Sequence, residues 1–341
     1  MASNNSRSAH QRHLLRLVRH AGICSQADLA KRSRLHPSTV SVLVRPLKRS
    51  GILVSAGRGS SQEVGGKRPE LLALNPDYTR FLSLYVHEAS VELLIVDFAG
   101  NKLREDAVLL PAGTGTFAPA EDVEQTIVET ARRATEKAGG VGGIGVAVSS
   151  VVAPKGEVRP SVGFRRSLPG LRERLERAFD PVTAFALEND ANCLAIYACR
   201  SFDEHYEHLA AVLADPCSKT VGSGIVIGGK LYRGSNGAAG ELFEPRPPVI
   251  EEAESRTCGE DFARQAVYHT LSVCTVLDPQ VAVLWAREPA GGPFRTEARR
   301  LLDATNAPCE VIIHERPRAP ELGAAFIAAE RYETALIRGL S

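Results

Sequence analysis

No apolar run in this chain approaches the roughly 18 residues needed to cross a bilayer. The opening Met-Ala-Ser-Asn-Asn-Ser-Arg lacks the apolar core of a secretory signal. Neither a membrane partner nor export is therefore expected. Aromatic residues are sparse at 6%, yet the 44% hydrophobic share can fill globular cores, which excludes a disordered chain or a collagen-like fibre. The seven cysteines are odd in number and scattered, from Cys24 to Cys309, so a disulfide scaffold is excluded and a reduced, cytoplasmic protein is expected. At 341 residues the chain exceeds one ordinary domain and suits two or three.

Acidic residues are also scarce where the chain begins. Residues 1–75 hold 13 Lys and Arg against Asp28, Glu63 and Glu70, a net of +10, while residues 76–341 carry a net of −9. A basic part on an acidic body points to a polyanion partner. A solvated basic tail would lack periodic apolar residues, and this segment has them. Leu14, Leu15, Leu17 and Val18 predict a helix from His13 that ends at Gly22. Ser25 with Asp28 three residues on predicts a capped second helix. Pro37 opens a third, with Val40, Leu43, Val44 and Leu47 turned inward. Pro46 inside it predicts a kink or an early end. Two short apolar segments, Ile52-Leu53-Val54 and Leu71–Leu74, then flank a loop rich in Gly and Ser.

Helix, helix, turn, helix and a two-stranded wing make a winged helix-turn-helix over residues 1–75. Its third helix should enter the major groove of double-stranded DNA. Ser38, Thr39 and Ser41 are the expected base-edge residues, and Arg45, Lys48 and Arg49 the expected phosphate contacts. In the wing, Gly65-Gly66-Lys67-Arg68-Pro69 suits a minor-groove hook that inserts Lys67 or Arg68.

Beyond Pro76, strands alternate with helices, as in an α/β protein. Strands are expected at 81–86, 91–97, 144–148, 185–187, 208–214, 225–227, 281–285 and 310–314. Helices are expected at 121–138, 258–277, 293–304 and 320–336. Two segments carry a specific resemblance. Glu188-Asn189-Asp190-Ala191-Asn192 resembles the sugar and catalytic motif of the ROK (repressor, open reading frame, kinase) family, and Gly229–Glu241 resembles that family's most recognisable stretch, ending Gly237-Ala238-Ala239-Gly240-Glu241. Leu277-Asp278-Pro279 and Leu322-Gly323-Ala324-Ala325 add weaker likeness. The winged head followed by Gly-Gly-Lys-Arg-Pro is that of ROK repressors. The resemblance implies a two-lobed, actin-like (ribonuclease H-like) body around a cleft, assembled as a homodimer or tetramer. It also implies a first lobe over 76–190, completed by the C-terminal helix 322–338, and a second lobe over 191–321.

The chain departs from the family's kinases in several places. Their phosphate-holding Asp-x-Gly-Gly-Thr turn is Tyr85-Val86-His87-Glu88-Ala89-Ser90 here, without glycine and with an acid that repels phosphate. A second Gly-Thr-Gly loop is replaced near Ser218-Lys219-Thr220, and a glycine pair by Trp285-Ala286. Phosphotransfer depends on positioned phosphates and metal, so no ATP, no cofactor and no enzymatic role are expected. The family's zinc cluster retains only Cys258, and its histidine is Glu244, so no zinc is expected either. Cys193 and Cys199 read as small apolar packing groups. Of the family's sugar wall, Asn189, Asp190 and Glu241 remain, with Glu244 in the histidine's place, and these four are the expected effector contacts. The Asx pair equally suits helix capping, and the Gly237–Glu241 stretch a tight turn. The expectation is a DNA-binding transcriptional regulator, a repressor acting on an inverted-repeat operator, with a small effector, a sugar first among candidates. Two alternatives stay open: a sugar kinase with a divergent nucleotide site, and a regulator answering to another metabolite or to a protein partner.

Overall fold

The computed structural model of the chain describes residues 2–59, 68–112, 118–161, 163–179, 181, 183–202, 206–216, 218–241, 258–287 and 292–339. Helix α1 (Ala2–Ala21) starts well before the periodic apolar positions and is followed by Gly22 at φ 69°. Strand β1 (Cys24–Ser25) leads into α2 (Gln26–Ser33). Its cap is reciprocal: the Asp28 amide donates to Ser25 Oγ at 3.1 Å and the Ser25 amide to Asp28 Oδ2 at 2.9 Å. Helix α3 (Pro37–Arg49) runs through Pro46, so the early end predicted from sequence does not occur. The carbonyl deprived of a donor belongs to Val42, an exposed residue, and the Ser50 amide closes the last turn on the Pro46 carbonyl at 3.0 Å. Strands β2 (Leu53–Arg58) and β3 (Glu70–Leu74) complete an antiparallel sheet ordered β1-β3-β2.

The first body lobe runs through β4 (Arg80–Val86), β5 (Ser90–Asp97), β6 (Lys102–Leu109), α4 (Ala120–Lys137) and β7 (Gly143–Val148). A small β8 (Val151–Val152) and β9 (Val158–Arg159) hairpin, α5 (Leu171–Ala178) and β10 (Ala184–Asn189) follow. The sheet order is β10-β7-β4-β5-β6, with β4 parallel to β7 and antiparallel to β5. The near-continuous apolar runs of β4 and β7 fit their central, doubly covered position. The second lobe is built from α6 (Asp190–Ser201), β11 (Leu209–Asp215), β12 (Thr220–Ile227), β13 (Lys230–Tyr232), α7 (Cys258–Leu277), β14 (Val281–Ala286), α8 (Pro293–Asp303) and β15 (Glu310–His314). Its sheet, β13-β12-β11-β14-β15, repeats the plan of the first. The last helix, α9 (Ala319–Gly339), crosses back to pack on β4, β7 and β10.

Glycines let the helices between the lobes approach closely. A Cβ on Gly323 of α9 would lie 1.9 Å from the Cys193 carbonyl on α6, and one on Gly224 of β12 would lie 2.2 Å from the Ala191 carbonyl. The head is joined to this frame without a break in packing. Its core of Leu14, Leu15, Leu43 and Leu72 is continuous with Phe98, Tyr197, Ala325 and Ile337 of the body. Asn75 pins the junction, donating from its amide to the Ile52 carbonyl at 2.9 Å and from Nδ2 to the Gly51 carbonyl at 3.0 Å.

Candidate functional site

On α3 the buried face is Val40, Leu43, Val44 and Leu47, which leaves Ser38, Val42, Arg45 and Arg49 as one exposed stripe. Thr39 flanks the stripe and is exposed, while Ser41 is half-buried. The helix begins at His36, whose Nδ1 accepts from the Ser38 amide at 3.3 Å and lies 2.7 Å from Ser38 Oγ. Lys48 is already engaged: Nζ donates to both Glu70 oxygens, at 2.6 and 2.7 Å, which ties α3 to the wing strand β3 and lowers the pKa of Glu70. Arg45 and Arg49 are therefore the better placed of the expected phosphate contacts. Arg68 is exposed at the foot of the wing, and Lys67 lies outside the described residues. Sequence reasoning passed over Val42, which is 54% exposed. Its signal was an apolar residue out of phase with the buried stripe, suited to contact a thymine methyl group.

Between the lobes lies a cleft of about 120 Å³, lined among others by Ser149, Ser150, Asn189, Asp190 and Glu241. The strand-to-helix joint between β10 and α6 puts both Asx residues there. Asn189 serves as cap and lining together: Oδ1 accepts from the Asn192 amide at 3.1 Å, and Nδ2 donates to the Ser150 carbonyl at 3.1 Å, with Glu241 Oε1 at 3.4 Å. Glu188, just before it, takes Arg233 at 2.7 Å and Asn192 Nδ2 at 2.9 Å, stitching the two family-like segments to each other. Glu241 is delivered by Gly240 at φ 87°, where a Cβ would meet the Ser223 carbonyl at 1.7 Å. Burial, and then the nearby Asp190, push the Glu241 carboxyl up to about 7. Glu244 lies outside the described residues, as does the rest of the segment 242–257 that leads to Cys258. Among the described residues, no group of three or more His, Cys, Asp or Glu side chains is placed to hold a metal.

Asp190 is almost wholly buried, and both of its oxygens are occupied: Oδ1 by the Ala191 amide at 2.8 Å and Oδ2 by the Tyr85 hydroxyl at 2.8 Å. Burial raises its pKa while the Tyr85 and Ser149 hydrogen bonds act against that rise. The Tyr85 ring is itself enclosed, with the His87 ring centroid 3.7 Å away and the Arg287 guanidinium 5.4 Å above it. Arg287 pairs with Glu92, which also receives Arg318 at 3.1 Å, and Arg318 reaches Glu105 at 2.9 Å and Glu321 at 3.2 Å. Burial, helped by Arg287 and Arg318, pushes the His87 imidazole down to about 2, so the ring is neutral. A packed cluster of aromatic rings and ion pairs thus stands at the turn where the resembling kinases carry glycines. Nearby, Trp285 is buried and donates from Nε1 to the Arg316 carbonyl at 2.9 Å, and Lys219 in the altered second loop sits at φ 54°. Sequence reasoning saw the missing glycines but not this replacement, because Arg287, Arg318 and Glu92 are distant in the chain.

Comparison with known proteins bears on both sites. A model of the ROK family matches residues 87–261, and a model described as winged helix-turn-helix DNA-binding matches residues 7–54. The xylose repressor of Staphylococcus xylosus is 25% identical over 71% of this chain and 61% of its own length. The chain thus spans about three fifths of that relative. The N-acetyl-D-glucosamine kinase of Haemophilus influenzae (strain 86-028NP) is 30% identical over 48% of this chain and 51% of its own. Among solved structures, a ROK family transcriptional regulator described as a homolog of the E. coli MLC protein superposes with a TM-score of 0.67, over 98% of this chain and 99% of that one. At 14% identity this is a likeness of fold. No helix among the described residues is long and apolar enough to cross a membrane.

Proposed function

The chain belongs to the ROK family, and on that premise we propose that it is a sequence-specific DNA-binding repressor whose kinase-like body senses a small polyhydroxy effector without phosphorylating it. One observation carries the regulatory half: an exposed α3 stripe of Ser38, Val42, Arg45 and Arg49 on a basic winged head. In this reading the stripe lies in the major groove, Arg45 and Arg49 meet phosphates, and the wing reaches the neighbouring minor groove through Arg68. A homodimer would set two such helices about one helical turn apart on an inverted-repeat operator in the cytoplasm. Asn189, Asp190 and Glu241 would meet the effector's hydroxyls, since a carboxylate accepts from two neighbouring hydroxyls. Coupling between cleft and head of about 1–3 kcal/mol would change operator affinity by roughly 5- to 150-fold.

The same reading gives up phosphotransfer because of Tyr85. A general base takes a proton from the sugar hydroxyl, and the hydrogen bond that Asp190 accepts from the Tyr85 hydroxyl works against the basicity that step needs. The kinase among the relatives, together with Asp190 in the base position, favours the second reading of a divergent sugar kinase. Two measurements separate them. Footprinting on the DNA flanking the protein's own gene should protect an inverted repeat, and a sugar should relieve that protection. The xylose repressors among its relatives put pentoses first on the panel. A coupled ADP-release assay over the same sugars should stay at background. Steady ADP release that Asp190→Asn abolishes, with no protected DNA, would overturn the repressor reading.

A further inference from the structure

The seam between head and body gathers more positive charge than its own carboxylates neutralise. Arg12, Arg16 and Arg19 project from successive turns of α1. Facing them are Arg200 on α6 and Glu330 and Glu333 on α9, around a cavity of about 140 Å³. An adjoining cavity of about 240 Å³ shares Arg19, Arg200 and Phe326 and adds Arg316. Both glutamates are spoken for: Glu333 pairs with Arg19, and Glu330 with Arg200. Among the described residues, Arg12, Arg16 and Arg316 have no carboxylate within ion-pairing distance. The Nε of Arg200 is buried with no hydrogen-bond partner.

Four guanidinium groups in a partly desolvated crevice, with the exposed Arg316 beside it, outnumber two carboxylates and repel one another. Burial and then the neighbouring Arg200 pull the pKa of Arg16 down, and the attraction of Glu330 and Glu333 does not make up for them. An unmet buried donor costs free energy as well. Planar guanidinium forks are the side chains best matched to phosphate oxygens, which they bind in pairs. The seam is also set apart from the α3 stripe, being formed by α1 where it meets α9 and α6.

We propose that this head–body seam is a binding site for a small phosphate-bearing anion, held by Arg12, Arg16 and Arg200. Such an anion neutralises the surplus guanidinium charge, meets Arg200 Nε, and clamps α1 of the head to α6. The site does not require the protein to be a repressor, and pyrophosphate binding is measured without DNA, so either proposal can fail alone.

The experiment is isothermal titration of the full chain with pyrophosphate, at an ionic strength matched with sodium chloride. One saturable site per chain is expected. Arg16→Gln and Arg12→Gln break no ion pair and keep the seam assembled. Each should weaken binding at least tenfold, with an unchanged circular dichroism spectrum. Arg45→Ala, on the opposite duty of the head, should bind pyrophosphate as the wild type does. A heat no larger than the salt-matched blank would overturn the proposal. So would binding that survives Arg12→Gln and Arg16→Gln but is lost in Arg45→Ala, which would put the anion on the DNA-facing surface.

Discussion

The phenolic hydroxyl of Tyr85 donates to the buried Asp190 carboxylate at 2.8 Å. Replacing Tyr85 with Phe keeps the ring and removes the donor, so a buried carboxylate oxygen loses its partner. Urea unfolding should show a loss of about 1–3 kcal/mol, the usual cost of such an orphan. Two other buried acids set a pH dependence. Glu241 and Glu321 are both pushed up to about 7, chiefly by burial. An acid whose pKa is higher folded than unfolded binds more protons in the folded state, so its contribution is intact below about 4.5 and is lost as pH rises through about 7. His87, held low, acts in the opposite sense, costing stability only as pH falls below its ordinary 6.5. The comparison is therefore made between variants: the stability of Glu321→Gln relative to wild type should improve from pH 5 to pH 8, by on the order of 1–3 kcal/mol. On the head, Arg45→Ala should weaken operator binding and lower the salt slope by about one unit if the side chain meets one phosphate. An unchanged slope in a filter-binding series removes Arg45 from the interface.

At the scale of elements, the crossing of α6 and α9 is a close joint of the body. Gly323→Ala would drive a methyl group into the Cys193 backbone carbonyl, and neither helix can yield without disturbing a lobe. The expected loss is about 1–3 kcal/mol by chemical denaturation. This joint was only half legible in the sequence. Leu322-Gly323-Ala324-Ala325 announced a small-residue helix, but not its partner, because close approach is a property of two helices and one sequence segment describes one. The strands at 144–148 and 281–285 were readable because buried inner strands are continuous apolar runs, and 310–314 because its Val-Ile-Ile stands out even at a sheet edge. By contrast β6 was not, since Lys-Leu-Arg-Glu-Asp-Ala-Val-Leu is an exposed edge strand that lacks an apolar run and is held mainly by pairing with β5. The eight-residue α5 escaped notice because only Leu171 and Leu175 anchor its buried face. Of the kink or early end expected at Pro46, the early end does not occur: proline near the end of a helix forfeits one bond on an exposed face, and the last turn survives it.

For the whole molecule, the charge split between residues 1–75 and the remainder was legible from counting alone, whereas the union of head and body was not. A basic reader and an acidic body suggest two independent units. Instead Arg19 pairs with the buried Glu333 and donates to the Phe98 carbonyl at 3.3 Å, and the apolar cores merge. Head and body should therefore melt in one calorimetric transition. Arg19→Ala leaves Glu333 buried and unpaired, a change of about 3–5 kcal/mol for such pairs, and should split off an earlier head transition. A wild-type trace already in two steps would mean that the seam does not hold the head.

The place of α9 has one more consequence, for the newborn chain. Its helix covers the β4-β7-β10 face, yet roughly 130 residues separate Asn189 from Ala319, about 7–25 s of translation at 5–20 residues per second. Throughout that interval the first sheet of the body waits on the ribosome with one apolar side bare, so holdase protection during synthesis, and not the finished fold, should set how much protein a cell recovers.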